Sequence, residues 1–124
     1  MAKHHKIGIL GEKMALEYLL KQGYQLKAKN WRYGRAEIDL IVFKENILVF
    51  VEVKTRKNAA FGPPELAVTP KKQQLLFEAA AAYMHAQNYE EEIRFDVIAI
   101  QLSAHEAIKH FEDAFFPIWD GKTN

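Results

Sequence analysis

The 124-residue sequence contains no cysteine, which excludes disulfide bridges and thiolate metal sites. No apolar stretch reaches the ~20 residues that a membrane-spanning helix needs, so no membrane partner is expected. The basic start, Met1–Lys6, is followed by neither a long apolar run nor a small-residue cleavage site. We therefore predict no secretory signal, and a cytoplasmic location is the default expectation.

The chain also has no large excess of positive or negative charge, because its formal net charge is only +1. The distribution is nevertheless uneven. Residues 1–62 carry 12 Lys/Arg and 6 Asp/Glu, a balance of +6, whereas residues 63–124 carry 5 and 10, a balance of −5. A basic surface formed by the first half would attract phosphates. Chance clustering of solvated side chains would give the same pattern, so charge alone leaves both explanations open.

Hydrophobic residues make up 49% of the chain, enough to bury one core, which predicts a single domain over residues 1–124. Flexible ends are expected at residues 1–6 and 118–124. Strands are predicted at residues 24–31, 36–43, 47–54, 94–100 and 110–116, where β-branched and aromatic residues concentrate. A short polar break at Lys44–Asn46 joins the second and third strands into a hairpin. A loop is predicted at residues 57–67.

Two helices accompany these strands. A broad apolar stripe predicts the first, from about Lys6 to Gln22, and its members are Leu10, Met14, Ala15, Tyr18, Leu19 and Leu20. Spacing places Glu12 on or beside this inward stripe. The second helix is predicted to begin at Pro70, with Thr69 as its N-cap, and to end at about Gln87. The order α-β-β-β-α-β-β is typical of an α/β fold with a mixed central sheet of about five strands flanked by two main helices.

The third strand carries charges where apolar residues are expected. Its alternation places Ile47, Val49, Val51 and Val53 on one face, and Leu48 and Phe50 on the other. A strand that is apolar on both faces is normally central and buried. Glu52 and Lys54 nevertheless continue the face of Leu48 and Phe50. Buried charges are costly unless they are paired or bind a metal.

The second strand repeats this feature. Its alternation places Ile38, Leu40 and Val42 on one face, and Glu37, Asp39 and Ile41 on the other. If Glu45-Asn46 is a two-residue hairpin loop, the numbers of paired residues sum to 91. Asp39 then lies opposite Glu52, and Glu37 lies opposite Lys54. Two opposed carboxylates repel each other unless a divalent cation lies between them, and Mg²⁺ prefers such oxygen ligands.

Two interpretations of these strand charges follow. In the first, Asp39 and Glu52 bind a metal and Lys54 orients or deprotonates a water, which together are the parts that phosphodiester hydrolysis needs. In the second, Glu52–Lys54 or Glu37–Lys54 are cross-strand ion pairs of a structural network. The string D-x(12)-E-x-K is weak evidence for a metal site by itself, because it occurs by chance. Its position on a hairpin of otherwise apolar strands makes it a more specific indication.

The same residues resemble a known pattern. Asp39 with Glu52-Val53-Lys54 is similar to the PD-(D/E)xK signature of restriction endonucleases and archaeal Holliday-junction resolvases. Over roughly residues 8–116 the chain resembles the bacterial YraN-type family of uncharacterised proteins, often described as resolvase-related endonucleases. The segments that carry this likeness are Gly11-Glu12, Asn30-Trp31-Arg32, Glu37-Ile38-Asp39-Leu40-Ile41, Phe50-Val51-Glu52-Val53-Lys54-Thr55-Arg56, Phe61-Gly62 and Arg94-Phe95-Asp96-Val97.

The resemblance implies a restriction-endonuclease-like core and a role for each matching position. Asp39, Glu52, the backbone carbonyl of Val53 and Glu12 would be ligands of Mg²⁺ or Mn²⁺. Lys54 would position the attacking water and, with Glu12, Asp39 and Glu52, complete the catalytic set. No organic small-molecule cofactor is expected.

The implied partner is DNA, including branched DNA. A resolvase that cuts two strands symmetrically would act as a two-fold homodimer. Arg32, Arg35, Arg56 and Lys71, with Lys72 beside it, are candidates for phosphate contacts, although single surface cations are often only solvated. The predicted function is therefore a metal-dependent endonuclease. The alternatives are a nucleic-acid-binding module without catalysis and a structural protein with an internal salt-bridge network.

Overall fold

The computed structural model describes residues 2–56, 68–103 and 107–117. Its elements in these ranges are α1 (Ala2–Lys21), β1 (Gln25–Tyr33), β2 (Ala36–Lys44), β3 (Ile47–Arg56), α2 (Pro70–Ala86), β4 (Glu92–Gln101) and β5 (Ala107–Phe111). The predicted loop at residues 57–67 and the predicted flexible end at residues 118–124 lie outside the described residues.

The strands form one mixed sheet in the order β1-β2-β3-β4-β5. β3 is its central strand, antiparallel to β2 and parallel to β4, and the outer pairs are antiparallel. A parallel pair needs a crossover connection, and α2 lies in the chain between β3 and β4. The predicted α/β fold, with a mixed five-stranded sheet and two helices in this order, is confirmed.

Each helix covers one face of the sheet. Ala15 and Leu19 of α1 pack on a core that also contains Leu40, Val42, Val49, Val51, Ile98 and Ile100. Leu76, Ala79, Ala80 and Tyr83 of α2 pack on the other face, against Ile38, Ile41, Leu48, Phe50, Phe95 and Val97. The two predicted faces of β3 are therefore confirmed, and Glu52 and Lys54 continue the face that α2 covers.

The hairpin turn between β2 and β3 determines which residues face each other across it. Glu45 and Asn46 have φ values of 53° and 65°, and two consecutive positive φ angles are the signature of a tight hairpin turn that matches strand twist. The observed pairs run from Lys44↔Ile47 to Leu40↔Val51, each with numbers that sum to 91. The predicted register is therefore confirmed over this run.

Some predicted boundaries are wrong. α1 begins at Ala2 rather than near Lys6, and β5 ends at Phe111 rather than Phe116. The left-handed backbone of Asp113, with φ 56°, turns the chain after β5, and Phe115 then packs into the core beneath α2.

The inward stripe of α1 is also narrower than predicted. Leu10 and Leu20 are 45% and 49% exposed, because Ala15 and Leu19 make the buried contact with the sheet. Among the described residues, neither helix has the length and apolar composition needed to cross a bilayer.

Candidate active site

The β2–β3 hairpin opens at its end distant from the turn. The paired run stops at Leu40↔Val51, one step before Asp39 and Glu52. There the Val53 N–H donates to Asp39 Oδ2 at 2.7 Å, so a side-chain carboxylate takes the place of a backbone carbonyl as acceptor. The polar group of Asp39 is therefore held in the seam between the two strands rather than on one face of the sheet.

A change of face in β2 explains this position. Ile38 belongs to the core under α2, whereas Leu40 belongs to the core under α1. The prediction that these two residues share a face is therefore wrong. Opposite this step of β2, between the pairs Lys29↔Leu40 and Trp31↔Ile38, Asn30 of β1 has a left-handed backbone with φ 50°, which departs from extended strand geometry. Simple alternation in the sequence assumes regular strands and does not contain this change of face.

Glu52 is the buried anion of the site. It is 4% exposed, and its Oε2 lies 3.3 Å from Lys54 Nζ. Lys72 of α2 contacts the same oxygen through its own Nζ. The other oxygen, Oε1, is buried and has no hydrogen-bond partner within the described parts of the chain. We refer to Asp39, Glu52, Lys54 and Lys72 as the carboxylate–lysine cluster.

Burial and like charge shape the electrostatics of this cluster. Burial, then the nearby carboxylate of Glu52, raise the pKa of Asp39 to about 8, and the charge of Glu12 acts in the same direction. Burial also lowers the pKa of Lys54, an effect that Lys72 reinforces and Glu52 opposes. Burial opposes ionisation of Lys72 as well, but its contact with Glu52 raises its pKa above the ordinary value. When both are ionised, the two carboxylates repel each other across the seam.

Glu12 approaches this site from the opposite face of the sheet. Its helix comes close to β3 because Gly11 has no side chain, and a Cβ built there would lie 1.8 Å from Thr55 Oγ1. Asn30 Nδ2 donates to Glu12 Oε1 at 2.9 Å. Glu12 is thus near enough to influence Asp39 but is engaged by β1. Nowhere in residues 2–56, 68–103 and 107–117 do three His, Asp or Glu side chains form a group that could hold a metal ion.

The donor chemistry nevertheless fits a hard divalent cation. Asp39 and Glu52 offer carboxylate oxygens, and the buried, unpartnered Oε1 of Glu52 is the kind of atom that a metal would satisfy. A cation between the two would also offset the burial and the repulsion by Glu52 that together raise the pKa of Asp39. Val53, predicted to offer its carbonyl, contributes its N–H to Asp39 in this structure.

Two of the predicted phosphate-binding cations share a groove beside the cluster. The groove, with a volume of about 240 Å³, is lined by Arg35, Ala36, Glu37, Thr69, Lys71, Lys72, Leu75 and Leu76. Arg32 lies nearby on β1, with its Nε 3.7 Å from Glu37 Oε2. Arg56 lies elsewhere, at the end of β3, where its carbonyl accepts from the Leu102 N–H at 2.7 Å. The structure thus brings Arg35, Lys71 and Lys72 together.

The sequence predicted Lys72 only as a candidate phosphate contact, not as a partner of Glu52, and assigned no role to Asn30. The predicted N-cap at Thr69 placed Lys72 in the first turn of α2. The structure confirms this position, because the Lys72 backbone N–H donates to Thr69 Oγ1 at 3.2 Å. Nothing in the sequence could show that its side chain reaches Glu52, since that contact joins α2 to β3. Asn30 was visible only as part of the Asn-Trp-Arg segment.

Comparison with known proteins identifies the family. The profile of the uncharacterised protein family UPF0102 matches residues 11–100. This chain belongs to UPF0102. The YraN-type family predicted from the sequence is thereby confirmed. The UPF0102 match includes every member of the carboxylate–lysine cluster, as well as Glu12 and Asn30.

Individual UPF0102 proteins align over nearly the whole chain. A relative from Flavobacterium psychrophilum is 48% identical over 117 residues, covering 94% of this chain and 98% of its own length. One from Flavobacterium johnsoniae is 47% identical, again covering 94% and 98%. One from Phocaeicola vulgatus is 40% identical, covering 96% of this chain and all of its own length. The chain is therefore similar in extent to these UPF0102 relatives, whose family is uncharacterised.

Proposed function

We propose that this protein is a Mg²⁺- or Mn²⁺-dependent endonuclease that hydrolyses phosphodiester bonds in DNA. The observation that carries the proposal is the buried Glu52 beside the half-buried Asp39 and Lys54, at the point where an otherwise apolar hairpin opens. Placing two repelling carboxylates there costs stability in the metal-free protein. Functional sites are where such costs are commonly found, because the same arrangement serves a ligand.

In this proposal, Asp39 and Glu52 hold the cation. When bound, the cation stabilises negative charge on the phosphate and increases the acidity of water. Lys54 lies 3.3 Å from Glu52 and is less than a quarter exposed, so its amino group has a fixed position. It orients the attacking water or neutralises the phosphate. Glu12, held by Asn30, completes the acidic surroundings from the side of α1.

The groove beside the cluster supports DNA as the substrate. Arg35, Lys71 and Lys72 line it, and Lys72 belongs also to the carboxylate–lysine cluster. A phosphate backbone lying along the groove would therefore pass the cluster directly. Arg and Lys contacts of this type position a nucleic acid without selecting its sequence. We extend the proposal to branched DNA on the resemblance to junction resolvases.

The experiment compares wild-type protein with Glu52→Ala and Lys54→Ala. Single-stranded, duplex and four-way-junction DNA are incubated with each protein in Mg²⁺, in Mn²⁺ and in EDTA. We expect wild-type cleavage only with metal and a loss on the order of 10²–10⁴-fold in either variant. Glu17→Ala, an exposed acid on α1, should cleave like the wild type. Circular dichroism establishes that all the variants are folded. Intact DNA with both metals on every substrate would refute the proposal.

A second candidate function is nucleic-acid binding without catalysis. It is favoured by one observation: Asn30 engages Glu12, which in the described residues does not join Asp39 and Glu52 in a three-carboxylate group. This candidate predicts salt-sensitive DNA binding that weakens in Arg35→Ala and Lys71→Ala, without turnover in any metal. Metal-dependent cleavage by the wild type would exclude it.

A further inference from the structure

The contact between Lys72 and Glu52 joins the first turn of α2 to the central strand β3. Glu52 lies in the central strand and its side chain is 5% exposed, whereas Lys72 lies in the first turn of α2 and its side chain is 41% exposed. Lys54 contacts the same oxygen, but from two residues away on the same strand, with a side chain 22% exposed. Lys54 is therefore a fixed member of the cluster, whereas Lys72 reaches in from the surface on a flexible stem.

We propose that the Lys72 ammonium group occupies the cation position beside Glu52 in the metal-free protein and is displaced when a divalent cation binds. This inference rests on the metal site of the proposed function. It assigns Lys72 as a positioning residue that competes with the metal for the negative charge of the Glu52 carboxylate, with Lys72 on Oε2 and the metal reaching the unpartnered Oε1. The displaced side chain remains at the edge of the groove that it already lines with Arg35 and Lys71.

The physical argument is the charge balance of a buried site. Glu52 cannot remain buried as an anion without compensation, and two ammonium groups converge on its Oε2. A divalent cation between Asp39 and Glu52 would bring two further positive charges to the same place. Three cationic groups on one carboxylate would repel one another. Lys72, whose side chain is the more exposed of the two lysines, is the one that leaves.

The test is a titration of Mn²⁺ alone, in the absence of DNA, followed by isothermal calorimetry. Lys72→Met removes the competing charge and retains most of the apolar stem. We expect this variant to bind Mn²⁺ more tightly than the wild type by on the order of tenfold, a change that corresponds to about 1.4 kcal/mol. Lys72→Arg restores a cation and should return the affinity to the wild-type value or below. Lys21→Met makes the same change at an exposed lysine of α1, outside the cluster and the groove, and is the matched control that should leave the affinity unchanged.

Thermal melting separates competition from a merely structural ion pair. Without metal, Lys72→Met should melt at a lower temperature than the wild type, because Glu52 loses a cation. Saturating Mn²⁺ should reduce or abolish this difference, since the metal replaces the lost charge. A structural pair would instead leave the same deficit with and without Mn²⁺, and would leave the Mn²⁺ affinity unaltered.

The outcomes distinguish this inference from the function on which it rests. If wild type and Lys72→Met bind Mn²⁺ with equal affinity, the displacement of Lys72 is wrong and the metal site stands. If neither protein binds Mn²⁺, the metal site is wrong and the inference fails with it. Tighter binding by Lys72→Met together with recovery in Lys72→Arg supports both.

Discussion

Asp39 and Asp96 lie in the same sheet, yet their pKa values are shifted in opposite directions from the ordinary aspartate value. Burial raises the pKa of both. For Asp39 the neighbouring carboxylate of Glu52 adds to this effect. For Asp96 it is outweighed by hydrogen bonds from His110, Arg94 and the Asp113 N–H, which hold its pKa below the ordinary value. At the residue scale, the hydrogen-bond and charge partners therefore distinguish Asp39 in the candidate site from Asp96 in a structural network. Burial does not distinguish them, because it acts on both.

The raised pKa of Asp39 predicts how the stability of the metal-free protein depends on pH. A native pKa near 8 and an ordinary value of 3.8 mean that, between these pH values, the folded protein holds a proton that the unfolded chain has released. The contribution of Asp39 to stability is then complete below about pH 4 and is lost as the pH rises through about 8. Asp39→Asn removes this titration. Its melting temperature in EDTA should therefore rise relative to the wild type between pH 5 and 8.

Melting curves at several pH values in EDTA provide the measurement. Glu37→Gln changes another acid of β2, one that pairs with Arg32 at the surface, and is the control. If the wild type and Asp39→Asn respond to pH in parallel, the pKa of Asp39 is not raised in the folded protein. Adding Mn²⁺ to the wild type should flatten its pH response, because a bound cation keeps Asp39 ionised.

At the scale of elements, the approach of α1 to β3 depends on one missing side chain. Gly11 faces Thr55 so closely that a Cβ would lie 1.8 Å from its Oγ1 and 2.9 Å from its Cβ. Thr55 has a short, branched side chain that cannot move aside easily. The helix therefore keeps its present distance from the sheet only with glycine at this position. Glu12, the next residue, depends on that distance for its contact with Asn30.

Gly11→Ala should consequently destabilise the protein, by about 1–3 kcal/mol, because the added methyl group forces α1 away from the sheet. Gly8→Ala is a matched control on the same helix, where an added Cβ meets no atom within 4 Å. This control should be neutral or stabilising by up to roughly 1 kcal/mol, because alanine favours helix over glycine. Urea unfolding of the two variants measures both effects. Equal stabilisation by the two substitutions would show that α1 tolerates a wider spacing than the structure indicates.

At the scale of the whole molecule, two polar clusters among the described residues join separate elements. The carboxylate–lysine cluster links β2, β3 and α2. A second cluster is centred on Asp96, which is fully buried and accepts hydrogen bonds from Arg94 and from His110 at 2.6 Å. His110 also meets the Tyr18 hydroxyl at 3.0 Å, so this second cluster connects β4, β5 and α1. Its charged and polar groups are satisfied by one another, in contrast to the unpartnered oxygen of Glu52 among the described residues.

Asp96→Asn should therefore act on the stability of the fold and not on the candidate site. Removing one charge from a buried, paired network is expected to cost about 3 kcal/mol in urea unfolding. Glu112→Gln changes an exposed partner of Arg94, with a distance of 3.7 Å, and should cost less than ~0.5 kcal/mol. Mn²⁺ affinity of the folded Asp96→Asn protein should match that of the wild type. A loss of affinity would show that the two clusters are coupled through the sheet.

Much of the fold followed from patterns within single elements. The hairpin register could be predicted because a two-residue turn fixes every pair that follows it, up to Leu40↔Val51. The N-cap at Thr69 was likewise local, since it depends on neighbours in the chain. The change of face in β2 between Ile38 and Leu40 could not be predicted. Alternation assumes regular extended strands and assigned Ile38 to the wrong face, whereas the neighbouring Asn30 of β1 has a left-handed φ of 50°.

The sequence by itself determined that Asp39, Glu52 and Lys54 are charges in apolar strands and that a hairpin brings them near one another. Strand alternation and turn chemistry act over a few residues, so they can be read from the order of amino acids. Only the tertiary structure placed Asp39 in the seam, joined Lys72 to Glu52 and turned Glu12 towards Asn30. Each of these contacts joins different elements of the chain. They depend on how α1 and α2 pack on the sheet, which local patterns do not specify.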